Sequence, residues 1–184
     1  MSKKLLSMLL VLSMLFTMLP FSVMAEEADS TVGARGEIIE FASVDEYDIW
    51  VAGVQVTDAN KDDITGTGIT GTVTYDSDNN TLTLNNATIT EAYIDDWFDD
   101  EYDTYCIYTE EPTLILNLIG ENSINGVDAT QSTYGIRCRG ELTIEGGGSL
   151  TVIPGRAYIT DAIGNNHSSG ILTQGGLTIN GVTL

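Results

Sequence analysis

One set of words recurs along this chain, and that recurrence constrains its fold more than any other feature. Gly135-Ile136, Leu142-Thr143-Ile144 and Gly146 return as Gly170-Ile171, Leu177-Thr178-Ile179 and Gly181, each 35 residues later. Upstream, Thr104-Tyr105-Cys106-Ile107 matches Thr133-Tyr134-Gly135-Ile136 at a spacing of 29, and Leu114-Ile115-Leu116 stands where the later units have Leu-Thr-Ile. A further strand-like run, Ser149-Leu150-Thr151-Val152, lies between the repeats. A unit of about thirty residues cannot bury its own apolar face, whereas stacked units bury a continuous column. Each strand would then pair in parallel with its equivalent one unit away, with Ile136 over Ile171 in the interior. These observations predict an all-β chain built as a short parallel β-helix. A sandwich would also use short strands, but it would not need them to repeat the same words.

The local pattern agrees. Ile49-Trp50-Val51, Val54-Gln55-Val56, Val73-Thr74-Tyr75, Leu82-Thr83-Leu84 and Ala87-Thr88-Ile89 alternate apolar and polar residues between Gly, Asn and Asp, which is strand patterning. No stretch of a dozen residues carries helical spacing. Gly71 to Tyr75, the turn formers Asp76 to Asn80, and Thr81 to Leu84 make a hairpin. The alternating oxygens of Asp76, Asp78 and Asn80, and of Asp58, Asn60 and Asp62, resemble calcium loops only superficially. Neither has the glycine at position six or the acid at position twelve, so both read as turns.

Residues 1–25 read as a secretory signal peptide: Lys3 and Lys4, the apolar run Leu5 to Leu19, then Val23-Met24-Ala25. Residues 26–46 read as an acidic tether and residues 47–184 as the domain. Beyond the leader there are 27 acidic and only 5 basic side chains. Such a balance repels phosphate backbones and anionic lipid, so nucleic acid and membrane surfaces are excluded as expected partners. No second apolar run of about 18 residues follows, so no membrane insertion is expected after signal cleavage. The expected location is secreted, outside the cell.

Glu91 to Glu111 concentrates nine acids and no base in 21 residues, with Tyr93, Trp97, Phe98, Tyr102, Tyr105 and Tyr108 among them. It interrupts the repeat and is expected to be a loop or lateral excursion. One reading is a sugar platform. There Tyr93, Trp97, Tyr102, Tyr105 and Tyr108 stack on pyranose rings, while Asp95, Asp96, Asp99, Asp100 and Asp103 accept hydroxyl hydrogen bonds or hold calcium. The other reading is a solvated acidic loop whose Trp97 and Phe98 plug the side or end of the helix. Both stay open at this level.

The cysteines can be tested against the repeat. If Ile107 and Ile136 point inward, alternation turns Cys106 outward and Cys138 inward, with Cys138 over Thr109. A disulfide needs Cα atoms within about 7 Å, so this register disfavours one, although export favours pairing. Catalysis is not expected. Arg137 and Arg139 share an outward face but read as solubilising or cross-strand partners, and His167 has no relay partner in its polar run. With 27 carboxylates available, no glycosidase pair can be singled out.

The stretch Tyr47-Asp48-Ile49-Trp50-Val51-Ala52-Gly53-Val54-Gln55-Val56-Thr57, the hairpin Gly71 to Leu84 with Asn85-Asn86-Ala87-Thr88-Ile89, and the words Gly135 to Ile144 and Gly146 to Val152 together resemble a family. It is a family of secreted bacterial proteins with β-helical carbohydrate-binding domains, similar in fold to pectate lyases, and the resemblance implies a right-handed parallel β-helix with an N-terminal hairpin cap. The resemblance covers most of residues 47–184. It implies non-catalytic binding of a plant cell-wall polysaccharide, with calcium in some members, on a β-helix that is usually longer. The alternatives are a structural surface or adhesin module without a sugar ligand, or, more remotely, a polysaccharide lyase. This chain departs from the pattern at Cys106, which replaces the repeat glycine, and at Glu110-Glu111-Pro112, which fills the usual glycine turn. It also stops in mid-unit at Leu184, which leads to the expectation of a C-terminally truncated domain whose end calls for a partner or further units.

Overall fold

In the computed structural model, residues 44–98, 101–158 and 166–184 are described, with Trp97, Phe98 and Glu101 described by backbone alone. The leader (1–25) and most of the tether (26–43) lie outside the described residues. Thirteen strands follow in order: β1 Glu46–Val51, β2 Val54–Thr57, β3 Ile69–Asp76, β4 Thr81–Ile89, β5 Tyr93–Phe98, β6 Glu101–Thr109 and β7 Thr113–Ile119. Then come β8 Glu121–Asn125, β9 Thr133–Cys138, β10 Glu141–Gly146, β11 Ser149–Ile153, β12 Ser168–Thr173 and β13 Leu177–Ile179. The described chain is all-β, and its parallel strands curl around one core.

Two sheets form. The first has the order β12-β9-β6-β1-β2 with β5 also on β6, and the second has the order β11-β8-β4-β7-β10-β13 with β3 on β4. The pairings β6–β9–β12, β4–β7–β10–β13 and β4–β8–β11 are parallel, whereas β1, β2, β3 and β5 join antiparallel. The repeated words pair with one another as the spacing predicts: Thr104 with Thr133, Ile107 with Ile136, Ile136 with Ile171, and Leu142 with Leu177.

Because partners across a parallel ladder share a face, equal side chains stack into columns. Leu82, Leu116 and Ile144 are fully buried and lie on adjacent strands, and Leu114 beside Leu142 makes a second column. Each buried Leu or Ile contributes about 1.5–3 kcal/mol relative to an exposed one. The expected hairpin is present as β3–β4, and its turn is tied by Asp76, which accepts the Asp78 amide at 3.0 Å and the Asn79 side-chain amide at 2.7 Å. Asn60 likewise accepts the Thr57 amide at 2.7 Å. Both acidic runs are turns held by their own side chains.

Two expectations are corrected. Glu91 to Glu111 is not a loop: its core is the antiparallel hairpin β5–β6, and β6 continues as a central strand of the first sheet. Nor does Cys106 face outward, since it is fully buried in the apolar core beside Ile107. Strict alternation is broken there. Tyr105 and Tyr108, three residues apart, share a cluster of rings apart from the core, and the two residues between them both turn inward. Cys138 is buried, pairs in register with Thr109 as expected, and both thiols are free.

Candidate functional site

The outer face of the first sheet carries two rows of side chains that run across the strands. In one row Tyr93 of β5 lies opposite Tyr105 of β6, which lies opposite Tyr134 of β9 and then Ser169 of β12. In the other, Trp50 of β1 lies opposite Tyr108 of β6, then Arg137 of β9, then Leu172 of β12. Adjacent members stand one strand apart, about 4.7–4.9 Å, so side chains from five strands form one stripe.

The rings overlap. Centroids are 4.9 Å apart for Tyr105–Tyr108, 5.4 Å for Tyr105–Tyr134 and 5.7 Å for Tyr93–Tyr108, with interplanar angles of 24°, 16° and 5°. Trp50 leans on Tyr93 at 5.4 Å and on Tyr108 at 5.5 Å. The Arg137 guanidinium lies over the Tyr134 and Tyr105 rings, at 5.2 and 5.9 Å from their centroids, an arrangement favoured by the negative ring face. Tyr105, Tyr108 and Tyr134 are only 3–6 % exposed, so most of each face is spent on a neighbouring ring. Trp50 and Tyr93 are half-buried and supply the accessible aromatic surface.

Charged groups flank the stripe on two sides. On one side Asp95 and Asp103 lie directly opposite each other across the hairpin. Asp103 accepts the Ser132 amide at 2.8 Å and the Tyr105 hydroxyl at 3.1 Å. Burial, and then the Asp103 charge, lift the Asp95 carboxyl above the ordinary carboxylate range, while Arg139 pulls it back. On the other side the Tyr108 hydroxyl donates to Glu110, Arg139 Nε donates to the Tyr108 oxygen at 3.0 Å, and Arg139 pairs with Glu110 at 3.3 Å. That ion pair is about half exposed on both sides, so its own contribution is small. Burial raises the Tyr105 hydroxyl well above its usual value and pushes Tyr108 up to about 12.

Of the aromatic residues singled out from sequence, Tyr93, Tyr105 and Tyr108 come together here. Tyr102 does not join the ring cluster, and its backbone amide donates instead to the Thr130 hydroxyl at 2.8 Å. The side chain of Trp97 lies outside the described residues. Among the aspartates, Asp95 and Asp103 share the outer face, alternation turns Asp96 to the opposite side, and Asp99 and Asp100 lie outside the described residues. Calcium takes six to eight oxygens. Among the described residues no group of three or more His, Cys, Asp or Glu side chains is gathered to hold a metal, and Asp103 already spends both oxygens on protein donors.

Sequence reasoning missed Trp50, Tyr134 and the stacking of Arg137. For Tyr134 the signal was present, because the Thr-Tyr word at 133–134 repeats that at 104–105 and parallel pairing must stack the two rings. For Trp50 there was none, since β1 meets β6 antiparallel and outside the repeat. In comparisons with known proteins, the chain matches no family model, no curated protein sequence and no solved structure.

Proposed function

We propose that this chain is a secreted, non-catalytic polysaccharide-binding protein built as a short right-handed parallel β-helix, with its ligand lying along the stripe on the first sheet. The helix reading is supported by parallel pairing at the repeat spacing, with like side chains above like. The leader at residues 1–25 supports export. The observation that carries the binding reading is the in-register aromatic stripe, with partly accessible Trp50 and Tyr93, flanked by the Asp95–Asp103 pair and the Arg139–Glu110 ion pair. Aromatic surface takes the apolar face of a sugar ring, and carboxylates and guanidinium groups reach its hydroxyls. Strands at about 4.7–4.9 Å set a repeat on the scale of a single sugar ring, which suits a polymer better than a small molecule.

A second reading has its own support. Tyr105, Tyr108 and Tyr134 are almost completely covered by one another, which is what a purely structural surface or adhesin module would do with them. Isothermal titration against pectin and cellulose fragments, with and without calcium, separates the two. Heat that disappears in Trp50→Ala or Tyr93→Ala supports the stripe. No heat with either glycan under either condition rejects the binding reading in favour of the structural one.

A further inference from the structure

The accessible part of the stripe is bordered by carboxylates, while the nearby arginines are already engaged. Trp50 and Tyr93, the two rings that keep open surface, lie on β1 and β5. Alternation puts Asp48 on the face of Trp50 and Asp95 on the face of Tyr93, each two residues away. Asp103 stands opposite Asp95, and Glu110 accepts the Tyr108 hydroxyl. Among the described residues no Lys or Arg comes within ion-pair distance of Asp48 or Asp95. Arg137 on β9 is spent over the Tyr134 and Tyr105 rings, and Arg139 is tied to the Tyr108 oxygen and Glu110. Burial and then the Asp103 charge already hold Asp95 above the ordinary carboxylate range, so the site resists even the negative charge it has.

We propose that the stripe selects an uncharged polysaccharide and turns away polyuronates, with Asp48 and Asp95 accepting hydrogen bonds from sugar hydroxyls; this rests on the binding reading. An ionised carboxylate only accepts. A neutral sugar meets it with hydroxyl donors, which makes charge-assisted bonds. A uronate brings a second acceptor-only group, so acceptor faces acceptor and charge faces charge. Each uronate ring adds one more negative charge, and the net charge of −20 opposes the polymer before contact. To offset this, the arginines would have to leave the rings and the carboxylate that hold them.

The test is isothermal titration of the protein with cellulose fragments of one length, before and after oxidation of their primary hydroxyls to carboxylates. That change adds charge and leaves the linkage alone. Unmodified fragments should bind at least about tenfold more tightly at low ionic strength. The difference should narrow at high salt, which screens exposed charges. Combining Asp48→Asn with Asp95→Asn keeps an acceptor oxygen at each place and removes both charges. It should narrow the difference by about threefold or more, with the urea midpoint confirming the fold. Equal or tighter binding of the oxidised fragments, with or without calcium, overturns the proposal and leaves the binding reading standing. Heat with de-esterified pectin but none with cellulose does the same. A difference unchanged by salt and by the double substitution overturns the role given to Asp48 and Asp95. No heat with any of these glycans rejects the binding reading itself, and the selectivity with it.

Discussion

Tyr134 stacks on Tyr105 with ring centroids 5.4 Å apart and planes 16° from parallel, although 29 residues of chain separate the two. The contact exists because the two are register partners on β9 and β6, so the sequence repeat is written into space as a ring on a ring.

Tyr134→Ala removes one ring of that stack and the seat of Arg137. It should cost about 3–5 kcal/mol, the usual loss for a buried large aromatic. Tyr134→Phe should stay within about 0.5 kcal/mol, because the hydroxyl bonds to no described residue. Urea unfolding measures both. If the alanine variant loses less than about 1 kcal/mol, the ring stack is not what holds β9 to β6 on this face.

Two equivalent glycines should respond oppositely to the same change. A Cβ on Gly135 would meet Val152 Cγ1 at 2.2 Å and the Gly170 carbonyl oxygen at 2.7 Å, whereas one on Gly170 finds Val152 Cγ1 at 3.6 Å. Gly135→Ala should therefore destabilise by about 1–3 kcal/mol through overpacking. Gly170→Ala should be neutral or stabilising by up to about 1 kcal/mol through reduced backbone freedom. Equal midpoints for the two variants would contradict this geometry.

Asn122 ties three pieces of chain together inside the second sheet. Its Oδ1 accepts the Ala87 amide at 2.9 Å, and its Nδ2 donates to the carbonyls of Ile119 and Ser149, both at 3.2 Å. Asn122→Ala leaves the Ala87 amide buried without its acceptor, for about 1–3 kcal/mol. Hydrogen exchange at Ala87 should accelerate more than at Leu82, and uniform acceleration would argue for general loosening instead.

Neither thiol should react in the native protein. Burial pushes Cys106 up to about 11 and also raises Cys138, and both side chains lie within the core. A disulfide-exchange reagent near neutral pH should label neither cysteine until denaturant is added, and then label both. Prompt labelling of one would place it at the surface. A mass two hydrogens short would show a disulfide between them.

Alkali should unfold the protein. Tyr105, Tyr108 and Tyr75 all have hydroxyls raised by burial, Tyr108 and Tyr75 to about 12, against an ordinary value of 10.0. Above pH 10 or so the unfolded chain releases these protons while the native state still holds them. Stability therefore falls as pH rises through that window and is unaffected by these groups below it. Tyrosinate absorbance followed alongside urea midpoints should show this ionisation arriving with unfolding. A smooth titration of every tyrosine near 10 in the folded protein would refute the burial.

Much of the fold was legible before any coordinates. The pairing of Thr104 with Thr133 and of Leu142 with Leu177 follows from repeated words, because parallel strands of equal composition bury their columns only when like lies over like. The turns at Asp76 and Asn60 were legible for a local reason, since their side chains bond to backbone two or three residues away. The acidic stretch was misread as a loop because its composition averages two faces. Asp95, Asp103 and the tyrosines occupy the outside, while Thr104, Cys106, Ile107 and Thr109 enter the core. Cys106 was misplaced because strict period-two counting does not see the break beside it. What only the tertiary structure decided is which side chains meet on the outer face. Trp50 reaches Tyr108 through an antiparallel contact outside the repeat, and Arg137 spends its charge over two rings in a chain rich in carboxylates. Sequence periodicity sets the register along one sheet, but a contact between non-repeated strands depends on where the chain folds back, and no local pattern encodes that.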